Sequence, residues 1–188
     1  SMMSTSDYSI LLNKFVEKSD KAHYLPSIKK EFLDQLAKIS KSLSPVKIMV
    51  EKTLSKFNNI YGIVNNASGP IEMKDFIDFK WVDIQAQIDI QIKGSFNLTK
   101  EVLPYFIDQR YGVIVNIASI VADHIPPAKW LPYNMAKSAL ISSTKTLANE
   151  YGPKGIRANC VSPGMTQTDL IADIPEKAKI ITKMQTPL

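Results

Sequence analysis

Gly112-Val-Ile-Val-Asn-Ile-Ala-Ser119 is the stretch on which the fold turns. It is apolar enough to be the central strand of a parallel sheet, and it ends in a hydroxyl where such strands end in active sites. Ile60-Tyr-Gly-Ile-Val-Asn-Asn-Ala-Ser-Gly69 is a second run of this kind, and Gly155-Ile-Arg-Ala-Asn-Cys-Val-Ser-Pro-Gly164 is a third. Two long stretches of helical character separate them, Trp81 to Arg110 and Tyr133 to Tyr151. Strands alternating with helices predict an α/β fold, a parallel sheet flanked by helices.

Tyr133 and Lys137 lie four apart, so they share one face of the helix that comes after Ser119. A phenol is a poor acid at neutral pH. A fixed ammonium beside it favours the phenolate and makes proton exchange with a substrate oxygen feasible, so the pair is a candidate general acid/base. Taken alone the spacing is common, with a packed Tyr beside a solvated Lys as its bland counterpart. Ser119, at the end of the preceding strand, would face Tyr133.

In this order the motifs resemble the short-chain dehydrogenase/reductase family from about Ser44 to Leu188. Asn65-Asn66-Ala67-Ser68-Gly69 is similar to the family's Asn-Asn-Ala-Gly strand end with one residue inserted, and Asn116-Ile-Ala-Ser119 resembles its serine-bearing strand. The third run is most similar to the 3-oxoacyl-thioester reductases. The resemblance implies a Rossmann-like fold and interconversion of a carbonyl and a secondary alcohol with NADP or NAD. Ser119 would hold the carbonyl oxygen, Tyr133 would donate the proton, and Lys137 would lower the Tyr133 pKa and bind the nicotinamide ribose. Asn66 and Ala67 would lie along the cofactor, and Pro163, Gly164 and Thr168 would close over the nicotinamide.

Two departures qualify the match. The family's fourth catalytic residue, an Asn in the long central helix, falls at Gln91, which keeps the amide and reaches one methylene further. The Gly-rich first turn is missing altogether: the seven glycines contain no Gly-x-Gly pair, and Gly152-Pro-Lys-Gly155 reads as a turn between helix and strand. The expected architecture is therefore a truncated Rossmann-like sheet, with 44–188 as a partial catalytic core and 1–43 as a helical amino-terminal segment. A strand missing beside Ile60 to Asn65 would leave an apolar edge in need of a cover. A chain without a pyrophosphate cradle is expected to bind a dinucleotide poorly.

Up to Asn58 the sequence reads as helices. The first carries Ile10, Leu11, Phe15 and Val16, and the second Ile28, Phe32, Leu36 and Ile39; the third opens at Ser44-Pro45 with Val46, Met49, Val50, Leu54 and Phe57 on one face. The core-facing set of the long helix is expected to be Ile84, Ile88, Ile92, Phe96 and Leu103, with a kink or new turn at Pro104. Small residues around and after Lys137, among them Ala136, Ala139, Ser143 and Ala148, suit a close helix contact, and a homodimer or homotetramer through the two long helices is expected.

The composition is that of an ordinary globular protein, 45% hydrophobic and 22% charged over 188 residues. A net charge of +5 raises the question of nucleic acid, but the excess is mostly amino-terminal and its lysines alternate with acids, as on solvated helix faces. No apolar run is long enough to span a bilayer, and one cysteine, Cys160, cannot form an internal disulfide. These features point to a cytoplasmic protein that binds neither nucleic acid nor membrane, and two separated histidines and one cysteine give no metal cluster. His124, in the Pro126-Pro127 loop, reads as a solvated loop residue. The alternative function is a non-catalytic relative that acts through its dimer helices.

Overall fold

The computed structural model describes residues 43–166, 168, 174 and 176–185. The expected helices within 1–42 lie outside the described residues. Helix α1 (Leu43–Phe57) leads into strand β1 (Gly62–Asn65), and beyond a loop comes a continuous helical run: α2 (Trp81–Gln87), a π turn (Ile88–Lys93) and α3 (Gly94–Asp108). Strand β2 (Gly112–Ile117), helix α4 (Leu131–Tyr151), strand β3 (Ile156–Val161) and helix α5 (Glu176–Gln185) complete the order.

Among the described residues the sheet has three strands in the order β1-β2-β3, all parallel. β2 is central, with one face buried and the other half-buried, in keeping with its uninterrupted apolar run. β1 is an edge strand here and alternates, with Ile63 buried and Val64 62% exposed. Val50 of α1, Val102 and Phe106 of α3, Ile63, Ile114, Ile156 and Ala158 form one apolar core between the helices and the sheet.

A polar ladder crosses the apolar sheet at one level. Register places Asn65, Asn116 and Cys160 side by side on the three strands. Asn65 Nδ2 donates to Asn116 Oδ1 at 2.7 Å, and Asn116 Nδ2 donates to Thr144 Oγ1 of α4 at 2.7 Å. The Thr144 hydroxyl donates in turn to the Leu140 carbonyl at 2.6 Å and accepts from Cys160 Sγ at 3.1 Å. With one proton given and two lone pairs filled, that hydroxyl is saturated, which is what lets it sit 4% exposed in the core.

Several expected faces are corrected. Val46 and Val50 of α1 point inward, but Phe57 is 60% exposed, with Lys56 Nζ 5.3 Å from its ring centroid. In the long helical run Phe96 is 58% exposed, whereas Gln87, Gln91, Asn97, Thr99, Val102 and Phe106 are buried. The expected set assumes one α period throughout, and the π turn inserts a residue that rotates the rest of the helix about its axis. At its end Ser95 Oγ donates to the Ile92 carbonyl at 2.9 Å, giving a partner to a group at the change of helix type. Pro104 lies inside α3, which runs on to Asp108. On α4, Ala136 is fully buried with Leu140 and Thr144, while Ala139 and Ser143 are exposed, so the small residues divide between two faces. No helix among the described residues is long and apolar enough to cross a membrane.

The turn into β3 depends on Gly155, which adopts φ +84°. A Cβ there would come within 2.2 Å of the Arg110 carbonyl oxygen, whereas one at Gly152 would meet nothing within 4 Å. Gly155→Ala should therefore destabilise the fold by about 1–3 kcal/mol through backbone strain, and Gly152→Ala should be close to neutral. Thermal unfolding followed by circular dichroism compares the two, and equal effects would discount the close approach.

Candidate active site

The carboxyl ends of β2 and β3 are tied together where the chain leaves the sheet. Ala118 N donates to the Val161 carbonyl at 2.8 Å, and Ile120 N donates to the Pro163 carbonyl at 3.1 Å. Between these two bonds Ser119 is held in an extended conformation, 8% exposed. Helix α4 begins at Leu131-Pro132, and its first two turns bring Tyr133 and Lys137 to the same place. All three side chains expected to carry the chemistry are buried and adjacent.

Their contacts are specific. The Ser119 side chain lies close enough to the Tyr133 phenol to stabilise its charged form. Lys137 Nζ donates to the Ile117 carbonyl at 2.7 Å and stands over the Tyr133 ring, 5.4 Å from its centroid. Burial pushes the Tyr133 phenol above its ordinary 10.0, and the neighbouring Ser119 hydroxyl offsets part of that rise. The sequence reading has the ammonium favouring the phenolate; in this arrangement desolvation dominates the phenol. Burial also lowers Lys137 from 10.5 to about 8, partly opposed by the nearby Cys160 thiol.

Tyr133 is fixed from its other side by packing. Trp130 meets it edge to face, with centroids 6.0 Å apart and planes at 88°. Trp130, Tyr133 and Ile174 form a small buried cluster against which Ile71, Val121 and Met165 pack. One wall of the site is thus apolar. A cleft lined by Gly69, Pro70, Gln87, Ile90, Pro132 and Tyr133 opens beside it.

The other expected residues divide. Ala67 is half-buried and Asn66 exposed on the loop leaving β1; Pro163 is half-buried, and Gly164 and Thr168 are exposed. Gly164 has open space where a Cβ would stand, so the backbone there can be approached closely. These groups lie on the loops that follow β1 and β3. His124 is exposed on the Pro126-Pro127 loop. Gln91 is buried in the π turn, bonded to Gln87. Gln87 and Trp130 are absent from the sequence-derived set, although a second Gln four residues before Gln91 is a visible signal for the first.

A family model described as short chain dehydrogenase matches residues 15–179. That match begins upstream of Ser44, where the motif-based resemblance opens. The chain is 35% identical over 175 residues to a 3-oxoacyl-[acyl-carrier-protein] reductase of Thermotoga maritima, covering 86% of this chain and 70% of that protein. It is 35% identical over 129 residues to the oxidoreductase UcpA of Escherichia coli, covering 69% of this chain and 49% of that one. Among solved structures, 3-ketoacyl-(acyl-carrier-protein) reductase from Brucella melitensis complexed with NADH superimposes with a TM-score of 0.69 at 27% identity, over 73% of this chain and 58% of the other. The chain thus spans between about half and seven tenths of the length of these relatives. A family model that covers most of the sequence, and a parallel sheet whose strand ends gather Ser119, Tyr133 and Lys137, place this chain in the short-chain dehydrogenase/reductase family of NAD(P)-dependent oxidoreductases.

Proposed function

We propose that the protein interconverts a carbonyl and a secondary alcohol, with a 3-oxoacyl thioester or a similar small ketone as substrate, through a Ser119-Tyr133-Lys137 site. The observation that carries this reading is the convergence of the three buried side chains: the Ser119 hydroxyl beside the phenol, and the Lys137 ammonium anchored over the ring by the Ile117 carbonyl. NADPH or NADH supplies the hydride when bound. In the reductive direction Ser119 turns its hydroxyl from the phenol to the substrate oxygen, and Tyr133 delivers its proton to that oxygen as charge develops there. A phenol held above its ordinary pKa stays protonated at neutral pH, which suits a donor. Lys137, with two donors left after Ile117, binds the nicotinamide ribose and stabilises the phenolate that remains. Asn66 and Ala67 line the cofactor, and Pro163, Gly164 and Thr168 close over its nicotinamide. The Gln91 amide completes the polar set as part of a proton relay. The exposed sides of α3 and α4, with Phe96, Ala139 and Ser143, form the contact of a homodimer or homotetramer.

In a protein that carries this site together with a dinucleotide cradle, Tyr133→Phe removes one oxygen from a buried ring and should cut ketone reduction by about 10²- to 10⁴-fold while circular dichroism stays unchanged. Lys137→Ala should lower the rate and weaken cofactor binding together. Near-normal turnover by Tyr133→Phe would end this assignment of roles.

The pH dependence has a definite sign. The ammonium of Lys137, with its pKa lowered to about 8, is present below that value and lost above it, so kcat/KM for reduction should fall as pH rises through about 8. Fold stability moves the other way. Between about 8 and 10.5 the unfolded chain holds the Lys137 proton that the folded chain has lost, so this residue's contribution to stability rises with pH there. A kcat/KM profile that stays flat through about pH 8 would refute the role of the ammonium.

Sedimentation at micromolar concentration should give a dimer or tetramer, and Phe96→Glu should shift it toward monomer. A wild-type monomer under those conditions would remove the contact.

A further inference from the structure

Gln87 and Gln91 stand four residues apart where α2 passes into the π turn, 5% and 2% exposed. A buried carboxamide is tolerated when its donors and acceptor find partners. Gln87 Nε2 donates to the Pro70 carbonyl at 2.6 Å, and Gln91 Nε2 donates to Gln87 Oε1. A carbonyl oxygen can only accept. Pro70 therefore dictates that Gln87 turns its NH₂ toward the loop and its oxygen toward Gln91, and this oxygen dictates that Gln91 turns its NH₂ toward Gln87. The atom left over is Gln91 Oε1, buried and without a hydrogen-bond partner among the described residues.

We propose that Gln87 is a positioning residue for the reductase site: it clamps the loop leaving β1 onto the helical run and sets the polarity of the Gln91 amide, so that an acceptor and not a donor is left over. The proposal rests on the function proposed above. The clamp is tight, since a Cβ on Gly69 would lie 3.3 Å from Gln87 Nε2 and 3.2 Å from Ile90 Cδ1. It holds the loop that carries Asn66 and Ala67, and Gln87 and Tyr133 line the same cleft. Helix α4, which bears Lys137, packs against the π turn. The acceptor left over can take a hydrogen bond from a water or from a polar group brought to it, whereas an NH₂ in its place would offer only donors.

Two substitutions in the full chain separate this role from simple packing. Gln87→Met keeps the length and removes both hydrogen bonds. Gln87→Glu reproduces the wild-type pattern when protonated, since its hydroxyl donates to Pro70 and its carbonyl accepts from Gln91; when ionised it has only acceptors and repels the Pro70 oxygen. Burial raises the pKa of such a carboxyl toward the working range. The expected result for Gln87→Glu is near wild-type kcat on the acid side and a loss of about 10- to 100-fold on ionisation, a step that wild type lacks. Gln87→Met should be low throughout, with a raised KM for the cofactor. Hydrogen exchange over residues 66–72, scaled to intrinsic rates and measured without substrate or cofactor, should lose protection in Gln87→Met, and in Gln87→Glu only on the alkaline side. Wild-type kcat and wild-type protection in Gln87→Met would overturn the proposal, as would a Gln87→Glu profile parallel to wild type. If wild type and Tyr133→Phe are equally inactive, the reductase reading fails on its own, and the exchange measurement still decides the clamp.

Discussion

The hydrogen bond from Asn116 to Thr144 is the constraint on which the arrangement rests. Apolar packing holds α4 against the sheet without fixing its height, because a helix can slide along an apolar surface at little cost. A buried amide cannot slide. Displaced along the strand, Asn116 and the Thr144 hydroxyl would lose partners in a region that offers no water, at roughly 1–3 kcal/mol for each unsatisfied group. The ladder through Asn65 extends the constraint to β1, so three strands and one helix share a single register.

The site inherits that register. Thr144 lies about two helical turns beyond Lys137, and Asn116 one residue before the carbonyl that Lys137 grips. Once the ladder has set α4 against β2, Lys137 meets the Ile117 carbonyl and Tyr133 meets Ser119 with no further adjustment. The groups proposed to react stand on a strand end and a helix locked to it, while those proposed to contact a ligand lie on the loops beyond β1 and β3. This division lets the chemistry stay fixed as the loops vary.

The three strands are legible in the sequence because each is a short apolar-rich run that ends in polar residues, and Tyr133 with Lys137 because helical spacing joins them. The hidden features depend on backbone atoms or on a change of helical period. The partner of Lys137 is the Ile117 carbonyl, a group every residue carries, so no side-chain pattern announces it. The partner of Asn116 is a Thr outside any motif, on the buried side of a helix whose small residues suggest an outer contact. Phe96 is expected inward on an unbroken α period and lies outward because a π turn precedes it, and the same turn carries Gln91 inward. Phe57 fails differently, at the last position of α1, where its ring is left 60% exposed.

Cys160 gives the ladder a property that its other members lack. It is the single cysteine of the chain, half-buried, and its thiol is engaged with the Thr144 hydroxyl on the level shared by Asn65 and Asn116. An alkylating reagent that adds to that sulfur must displace the Thr144 hydroxyl from it, so the labelling rate is sensitive to how firmly α4 and β3 hold together. The protein thus contains, at the joint between helix and sheet, a chemical reporter of its own packing.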